Sequence, residues 1–195
     1  MYRLSPQPSN RSNLLEGALR CLERLPPERV TARAIAKEAG ANLASIGYHF
    51  GSKENLVTEA VIAGLDRWLM EIGDRLSELA EDESAARFQR AGDVIEATRR
   101  RHAGLTRNFL GALARAQHDP RVGAMLTEGF RRTRPRVAAL LGLGDDRAGE
   151  DAAGLVHSLF VGLLFQELLD PALAIEGNRM ERAQARLTRV LPTSS

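Results

Sequence analysis

Residues 30–56 contain two short helical patterns separated by a glycine, and this arrangement limits the possible folds more than any other feature of the chain. Thr31 is suited to begin the first helix, because its hydroxyl can accept a hydrogen bond from a free amide of the first turn. Gly40 is suited to end that helix, since glycine readily adopts the left-handed conformation found after many helices. Asn42 can cap the second helix. The pattern predicts a helix-turn-helix, whose second helix can enter the major groove of DNA.

The apolar positions of the second helix indicate which of its faces is buried. Leu43, Ile46 and Phe50 recur at helical spacing and are expected to point at least partly inward. The outward positions are then small and almost uncharged, whereas a helix face that meets only water usually carries charged side chains. Small residues let a helix backbone come close to a groove, and serine can bond to a base or to a phosphate. The outward positions are Ala44, Ser45, Gly47 and Tyr48, and His49 and Lys53 follow as candidate phosphate contacts.

On this spacing alone, a small helical hairpin within some other fold is the alternative. The segment resembles, however, the DNA-binding domain of TetR-family transcriptional regulators. The matching pieces are Val30-Thr31, Ile35-Ala36, Ala39-Gly40, Ser45-Ile46, Tyr48-His49-Phe50 and Ser52-Lys53-Glu54, in the order and spacing of that family. The resemblance implies that the DNA contacts come from Thr31, Arg33, Leu43, Ala44, Ser45, Gly47, Tyr48, His49 and Lys53.

Two of these residues break a local rule. Arg33 lies in the first turn of its helix, where the helix dipole disfavours a cation by about 0.3–1 kcal/mol. A contact with DNA would account for an arginine there, and an exposed arginine without a partner is the alternative. Gly47 stands where the family usually has an aromatic residue, and a glycine inside a helix costs about 1 kcal/mol relative to alanine.

The positive charge of the chain is concentrated around this segment. The whole chain has a net charge of only +2. Residues 1–56 carry eight Lys and Arg against five Asp and Glu, whereas the rest carries nineteen against twenty. The basic excess therefore lies where phosphate binding requires it.

Composition also indicates the compartment. Cys21 is the single cysteine, which fits a reducing environment. The first residues form no apolar run of the kind found in a signal peptide. The longest apolar stretch, 155–169, is too short to span a bilayer. We expect a cytoplasmic protein that does not enter a membrane.

Helical patterns cover the rest of the chain, and no segment alternates with period two, so we expect an all-α fold without a sheet. Gly104 is expected to separate two helices, and Pro135 to kink or divide another. Together with the resemblance, this predicts a three-helix DNA-binding domain in residues 1–55 and a helical effector-binding and dimerisation domain in residues 56–195. The helices are expected at 10–25, from Ser52 to about residue 80, and near 84–102, 105–117, 120–141, 148–169 and 178–191.

The helix predicted at 148–169 is apolar around most of its circumference. Such a helix must be buried on several sides, and the last helix can cover only one of them. The resemblance implies a homodimer in which the last two long helices of each subunit form a four-helix bundle. The central core helix of a monomer is the alternative. The residues expected at the dimer interface are Leu155, Leu159, Phe160, Leu163 and Leu187.

No motif points to catalysis or to metal binding. The four histidines are scattered, and neither a nucleophile elbow nor a phosphate-binding glycine loop occurs. We therefore expect no enzyme, no cofactor and no metal. The resemblance implies an effector pocket in the C-terminal domain, although ordinary core packing is the alternative for each candidate. The candidate lining residues are Trp68, Ile72, Phe88, Phe109, Leu113, Phe130 and Phe160.

The sequence thus predicts a homodimeric transcriptional regulator of this family. We expect a repressor that binds a palindromic operator in double-stranded DNA and is released by a small hydrophobic effector. One alternative is a constitutive DNA-binding protein that has no ligand. Another is a small helical enzyme that keeps the hairpin for structure, but this would need paired titratable groups that the sequence does not show.

Overall fold

Eight α-helices and two short 3-10 turns make up the described part of the chain. The computed structural model describes residues 10–77, 84–175, 177–187 and 189. No strand occurs in these ranges, so the predicted all-α fold is confirmed. The helices are α1 (Asn10–Arg24), α2 (Ala32–Ala39), α3 (Ala44–Phe50), α4 (Lys53–Ser77), α5 (Ser84–Ala116), α6 (Pro120–Leu141), α7 (Arg147–Leu169) and α8 (Asn178–Leu187), and the 3-10 turns are Pro27–Arg29 and Pro171–Leu173.

Local sequence determines where α2 and α3 begin and end. The Thr31 hydroxyl accepts a hydrogen bond from the amide of Ala34 at 3.1 Å, as predicted for an N-cap. Gly40 follows α2 with φ of 60°, in the left-handed region that glycine adopts most easily. The N-cap position of α3 is Leu43, one residue later than predicted, and the Asn42 side chain before it accepts a hydrogen bond from the amide of Ala44 at 2.9 Å.

The predicted helix break at Gly104 is wrong. α5 runs without interruption from Ser84 to Ala116. A Cβ atom at Gly104 would lie 1.9 Å from the backbone oxygen of Leu22 in α1. The glycine is therefore required by a close approach of two helix backbones, which a sequence pattern does not distinguish from a break.

Pro135 is a second predicted break that the structure corrects, and two predicted helix ends are not tested. α6 continues through Pro135, which does not divide it. α4 is described as far as Ser77 and α8 as far as Leu187. The predicted continuations to residue 80 and to residue 191 lie outside the described residues.

Packing separates the chain into two compact units. Unit 1 comprises Met1–Glu71 and Arg101–Thr133, and unit 2 comprises Ile72–Arg100 and Arg134–Ser195. α4, α5 and α6 each contribute residues to both units. The functional division into residues 1–55 and 56–195 stays a prediction, because these units are defined by packing alone.

In unit 1, α1 and α2 pack closely because small residues meet at their contact. A Cβ atom at Gly17 would lie only 2.8 Å from the Cβ of Ala39. At the edge of this contact, Arg20 forms an ion pair with Glu38 at 2.6 Å. The apolar side chains that fill the core between α1, α2, α3 and the start of α4 are Leu14, Leu22, Ile35, Ile46, Phe50 and Leu56. This core fixes which faces of α2 and α3 point outward.

In unit 2, α7 is apolar but is not covered by the rest of the described chain. Of its 23 residues, only Gly149 and Ala153 are buried. Leu155 is 76% exposed, and Leu187 of α8 is exposed as well. The alternative of a central core helix in a monomer therefore finds no support in the packing of α7.

α7 also bears on the expectation about membranes. By length and composition it could cross a bilayer, since an 18-residue window within it has a mean hydropathy of 1.6. Residues 155–169 alone are too short to span a bilayer, but the whole of α7 is long enough. A helix that packs against a second protein chain meets the same two criteria, so they do not by themselves indicate a membrane.

Substitution of two α5 glycines should separate close packing from helix propensity. Gly104→Ala should lower the free energy of unfolding by about 1–3 kcal/mol, because the new methyl group meets the Leu22 carbonyl. Gly111→Ala should raise it by about 1 kcal/mol, because no atom lies within 4 Å of the added Cβ. Urea unfolding of both variants measures the difference, and equal effects would contradict the close approach of α5 to α1.

Candidate nucleic-acid interface and effector region

The outward face of α3 is small, nearly uncharged and topped by one aromatic ring. Ala44 and Gly47 are exposed, and Tyr48 is 86% exposed. On the other side of the helix, Ile46 and Phe50 are buried, as expected. α3 therefore presents the predicted face to solvent.

Three of the predicted contact residues are only partly exposed. Leu43 is 44% exposed, which agrees with the expectation that it points partly inward. Ser45 and His49 are half-buried, so each offers only part of its side chain to a partner outside the chain. The cause is geometric, since α3 has only seven residues and its two inward anchors, Ile46 and Phe50, set its rotation.

Gly47 has no packing role in the described structure. No atom lies within 4 Å of the position that a Cβ would take, and no positive φ requires a glycine. The cost of a glycine inside this helix is therefore not offset by a contact within the described chain.

On α2, Thr31 and Arg33 are exposed next to this face. Most other arginines of unit 1 form ion pairs, whereas no described carboxylate pairs with Arg33. A guanidinium in the first turn of a helix, unpaired and exposed, is available to an anion from outside. The paired arginines of unit 1 include Arg11 with Glu59, Arg20 with Glu38, Arg67 with Glu16, Arg101 with Glu71 and Arg132 with Asp66.

The junction between α3 and α4 is held by hydrogen bonds. The buried side-chain amide of Asn55 donates to the backbone oxygen of Phe50 at 3.0 Å. The Ser52 hydroxyl accepts a hydrogen bond from the backbone amide of Asn55 at 3.0 Å, and it thereby caps α4. Lys53, the first residue of α4, pairs with Glu54 at 3.2 Å. Burial raises the pKa of Glu54, but hydrogen bonds from its own backbone amide and from Lys53 outweigh that effect and leave the pKa below its ordinary value.

Two arginines from distant parts of the chain reach this junction, and the sequence analysis missed both. Arg115, near the end of α5, donates hydrogen bonds to the Glu54 backbone oxygen and to the Thr58 hydroxyl. An Nη atom of Arg121 lies 3.4 Å from the position of a Cβ built on Gly51, the residue that follows α3. Arg121 is exposed, and no described carboxylate forms an ion pair with it. It lies in the first turn of α6, so the dipole argument applied to Arg33 would have identified it too.

The predicted effector residues are divided between the two units. In unit 1, Trp68 is buried and packs against the ring of His102, with centroids 4.7 Å apart. The burial of His102 lowers its pKa, so its ring is neutral at pH 7. Phe109 and Phe130 pack against each other at 6.0 Å. Ile72 is buried in unit 2, while Leu113 is half-buried in unit 1. These positions fit core packing, the alternative that the sequence analysis left open.

Phe88 and Phe160 line a cavity in unit 2. Their ring centroids are 5.2 Å apart, and the cavity has a volume of about 140 Å³. Its walls come from the first half of α5, the second half of α7, and the segment that leads into α8. Among the described residues, no group of three or more His, Cys, Asp or Glu side chains is arranged to hold a metal ion.

The predicted dimer residues lie along α7 and on α8. Leu155, Leu159 and Leu187 are exposed, while Phe160 and Leu163 are half-buried because they also line the cavity. His157 also lies on α7. Burial, and to a smaller extent the positive charge of the nearby Arg134, lower the pKa of His157, so its ring is neutral at pH 7. The exposed leucines form an apolar surface that the described chain leaves open.

Comparison with known proteins agrees with this geometry. Residues 14–60 match the sequence model of the bacterial regulatory proteins of the tetR family, and the match extends from α1 into the first part of α4. None of the curated proteins compared with the chain matches it.

Solved structures share the fold over most of the chain. A candidate transcriptional regulator from Rhodococcus sp. RHA1 is 20% identical, with 96% of this chain and 97% of that chain covered and a TM-score of 0.71. The multidrug binding protein EbrR, complexed with imidazole, is 23% identical over 97% and 98%, with a TM-score of 0.63. A candidate regulator from Saccharomonospora viridis, in complex with choline, is 22% identical over 82% and 85%, with a TM-score of 0.57.

At these identities the solved structures show a shared fold, and the sequence match places the family's DNA-binding segment on α1–α4. The outward face of α3 and the exposed residues of α2 lie within that matched segment. The chain therefore carries, in residues 14–60, a domain of the tetR family of bacterial regulatory proteins, and its fold is one that solved transcriptional regulators share.

Proposed function

We propose that this regulator is a cytoplasmic homodimeric repressor that binds a palindromic operator and is released by a small molecule. The observation that carries the proposal is the outer face of α3, where Tyr48 is 86% exposed beside Ala44 and Gly47. A large ring held in water gains no stability from burial in its own chain. Small neighbours let the helix enter a major groove, where Tyr48, Ser45 and Leu43 meet bases or the nearby backbone.

The phosphate contacts surround that face. Thr31 and His49 lie beside it, and Lys53 begins α4 just beyond it. We add Arg121, because its guanidinium lies next to Gly51 without an ion-pair partner among the described carboxylates. Arg33 is assigned to a base edge or a phosphate, since an arginine can bond to a guanine with both of its terminal nitrogens.

The exposed apolar surface of α7 supports the homodimer. Burial of this apolar surface against a second chain is favourable by about 25 cal/mol for each Å². Two copies of α7 and α8 would form a four-helix interface around a two-fold axis. A symmetric dimer presents two copies of α3, which is why we propose a palindromic operator.

The cavity in unit 2 supports regulation by a ligand over constitutive DNA binding. α5 lines this cavity with its first half and ends at Arg115, whose side chain bonds to the start of α4. A shift of this single helix would be transmitted to the junction that carries α3. EbrR with imidazole and the Saccharomonospora viridis protein with choline have the same fold, and both hold small molecules.

Selection of bound DNA from a random pool tests the proposed function. The selected sequences should share two inverted half-sites whose centres lie about 34–36 Å apart, or a multiple of that distance, because each subunit places one α3 in a major groove. A pool that yields no common sequence, or a single unrepeated half-site, would contradict the proposal.

Arg33→Ala should relax the base preference of the protein at one position of each half-site. The loss should be about 1–3 kcal/mol on the selected operator and much smaller on scrambled DNA, since a base contact carries the sequence information. Fluorescence anisotropy with both DNA duplexes measures the two affinities. Lys37→Ala, one turn along α2, is the control and should leave base preference unchanged. Equal losses on both duplexes would remove the base-reading role of Arg33.

Lys53→Ala and Arg121→Ala should each weaken binding to all DNA sequences alike. Each loses one phosphate contact, so the slope of log affinity against log salt concentration should fall by about 1. Arg131→Ala is the matched control, because Arg131 is an exposed arginine about 15 Å further along α6. If the Arg121→Ala variant has the same affinity and the same salt slope as the Arg131→Ala variant, then Arg121 does not contact DNA.

Leu159→Arg should convert the dimer into monomers or aggregates. An unpaired charge placed in a desolvated interface costs about 3–5 kcal/mol. Leu110→Arg is the control, since Leu110 of α5 is 38% exposed, as is Leu159. Sedimentation velocity at micromolar concentration gives the mass of each variant. A monomeric wild type, or a Leu159→Arg variant that stays dimeric, would contradict the proposed interface.

A further inference from the structure

The cavity in unit 2 combines an aromatic wall with an excess of carboxylates. Phe88 and Phe160 contribute the two rings. Among the described lining residues, four carboxylates face only one guanidinium, that of Arg99. The carboxylates belong to Asp93 and Glu96 of α5, Glu167 of α7 and Glu181 of α8.

One of these charges is already neutralised within the cavity wall. Arg99 forms an ion pair with Glu167, and both side chains are largely buried. Asp93, Glu96 and Glu181 are exposed, and none of the three forms an ion pair with a described residue. The cavity therefore carries about three uncompensated negative charges at its open side.

All three groups line the same cavity. Asp93 and Glu96 are three residues apart, so they are neighbours on one face of α5. Glu181 comes from a second helix, α8. Like charges held close together repel one another, and a cation placed between them removes that repulsion.

The apolar part of the cavity suits the rest of such a ligand. The faces of Phe88 and Phe160 attract a cation through their ring quadrupoles. Leu164, Ile175 and Met180 add aliphatic surface. A metal ion would find no buried set of carboxylates here, because the three unpaired ones are exposed at the rim.

We infer that this cavity takes an organic cation with an apolar or aromatic body, such as a substituted ammonium, and that this cation is the effector of the regulator. The inference rests on the proposed function, and it adds a positive charge to the small hydrophobic effector expected from the sequence. The body of the ligand packs against the rings of Phe88 and Phe160, while its charge faces Asp93, Glu96 and Glu181.

Three probes that share a benzyl body test the preference for charge. They are benzyltrimethylammonium, its uncharged isostere neopentylbenzene, and the benzylsulfonate anion. Isothermal titration calorimetry with the full-length protein should show the tightest binding for the ammonium and none for the sulfonate at the same concentration. Equal binding of all three, or binding of none, would overturn the inference.

Amide variants locate the site without changing its shape. Asp93→Asn, Glu96→Gln and Glu181→Gln should each weaken binding of the ammonium by up to about fivefold, because the charges are exposed, and their combination should weaken it by tenfold or more. Asp145→Asn, an exposed carboxylate of unit 2 outside the cavity, is the control and should have no effect. If the triple variant binds the ammonium as tightly as the control, the site lies elsewhere.

A DNA measurement separates this inference from the proposed function. Benzyltrimethylammonium should lower the affinity of the wild type for its selected operator, and linkage requires the operator to lower the affinity for the ammonium by the same factor. Operator binding that is unaffected by a bound ammonium would overturn the effector assignment and leave the DNA-binding proposal standing. Failure to bind any DNA specifically, with the ammonium still bound, would instead contradict the proposed function.

Discussion

The hydrogen bond from the side-chain amide of Asn55 to the backbone oxygen of Phe50 is the contact on which the rest of this structure depends. It joins the last residue of α3 to the first turn of α4, and Asn55 is only 8% exposed, so water competes little for it. Phe50 is fully buried in the core of unit 1. The seven-residue α3, too short to be stable alone, is thereby fixed between that core and a 25-residue helix. Its outward face then has one orientation, which is what recognition of a groove requires.

The same junction is contacted by residues from distant parts of the chain. Arg115 bonds to the backbone of Glu54 and to Thr58, and Arg121 lies against Gly51. Both arginines come more than 50 residues later in the chain than the residues they meet. A continuous α5 connects the first of them to the cavity that we assign to the effector. In the proposed regulation, effector and DNA need not touch, because a displacement of α5 would alter the support of α3 and α4.

Local sequence predicted what depends on local interactions. The N-cap at Thr31, the left-handed Gly40 and the buried Ile46 and Phe50 follow from short-range rules, and the structure confirms them. Contacts between distant segments could not be predicted in this way. Gly104 looked like a helix break because its real reason is the backbone of Leu22 in another helix. The cavity, the place of Arg121 and the scatter of the predicted effector residues depend on the packing of helices that a single sequence does not specify.

The central claim is that the outer face of α3 meets the bases of the operator. Photo-cross-linking tests it most directly, with benzoylphenylalanine in place of Tyr48 and, as the control, in place of the exposed Met70 of α4, about 25 Å along that helix from Lys53. On irradiation of the protein bound to its selected operator, position 48 should form covalent adducts with bases in both half-sites, and position 70 should form none. A variant that binds the operator but gives no adduct at position 48, or equal adducts at both positions, would contradict this account.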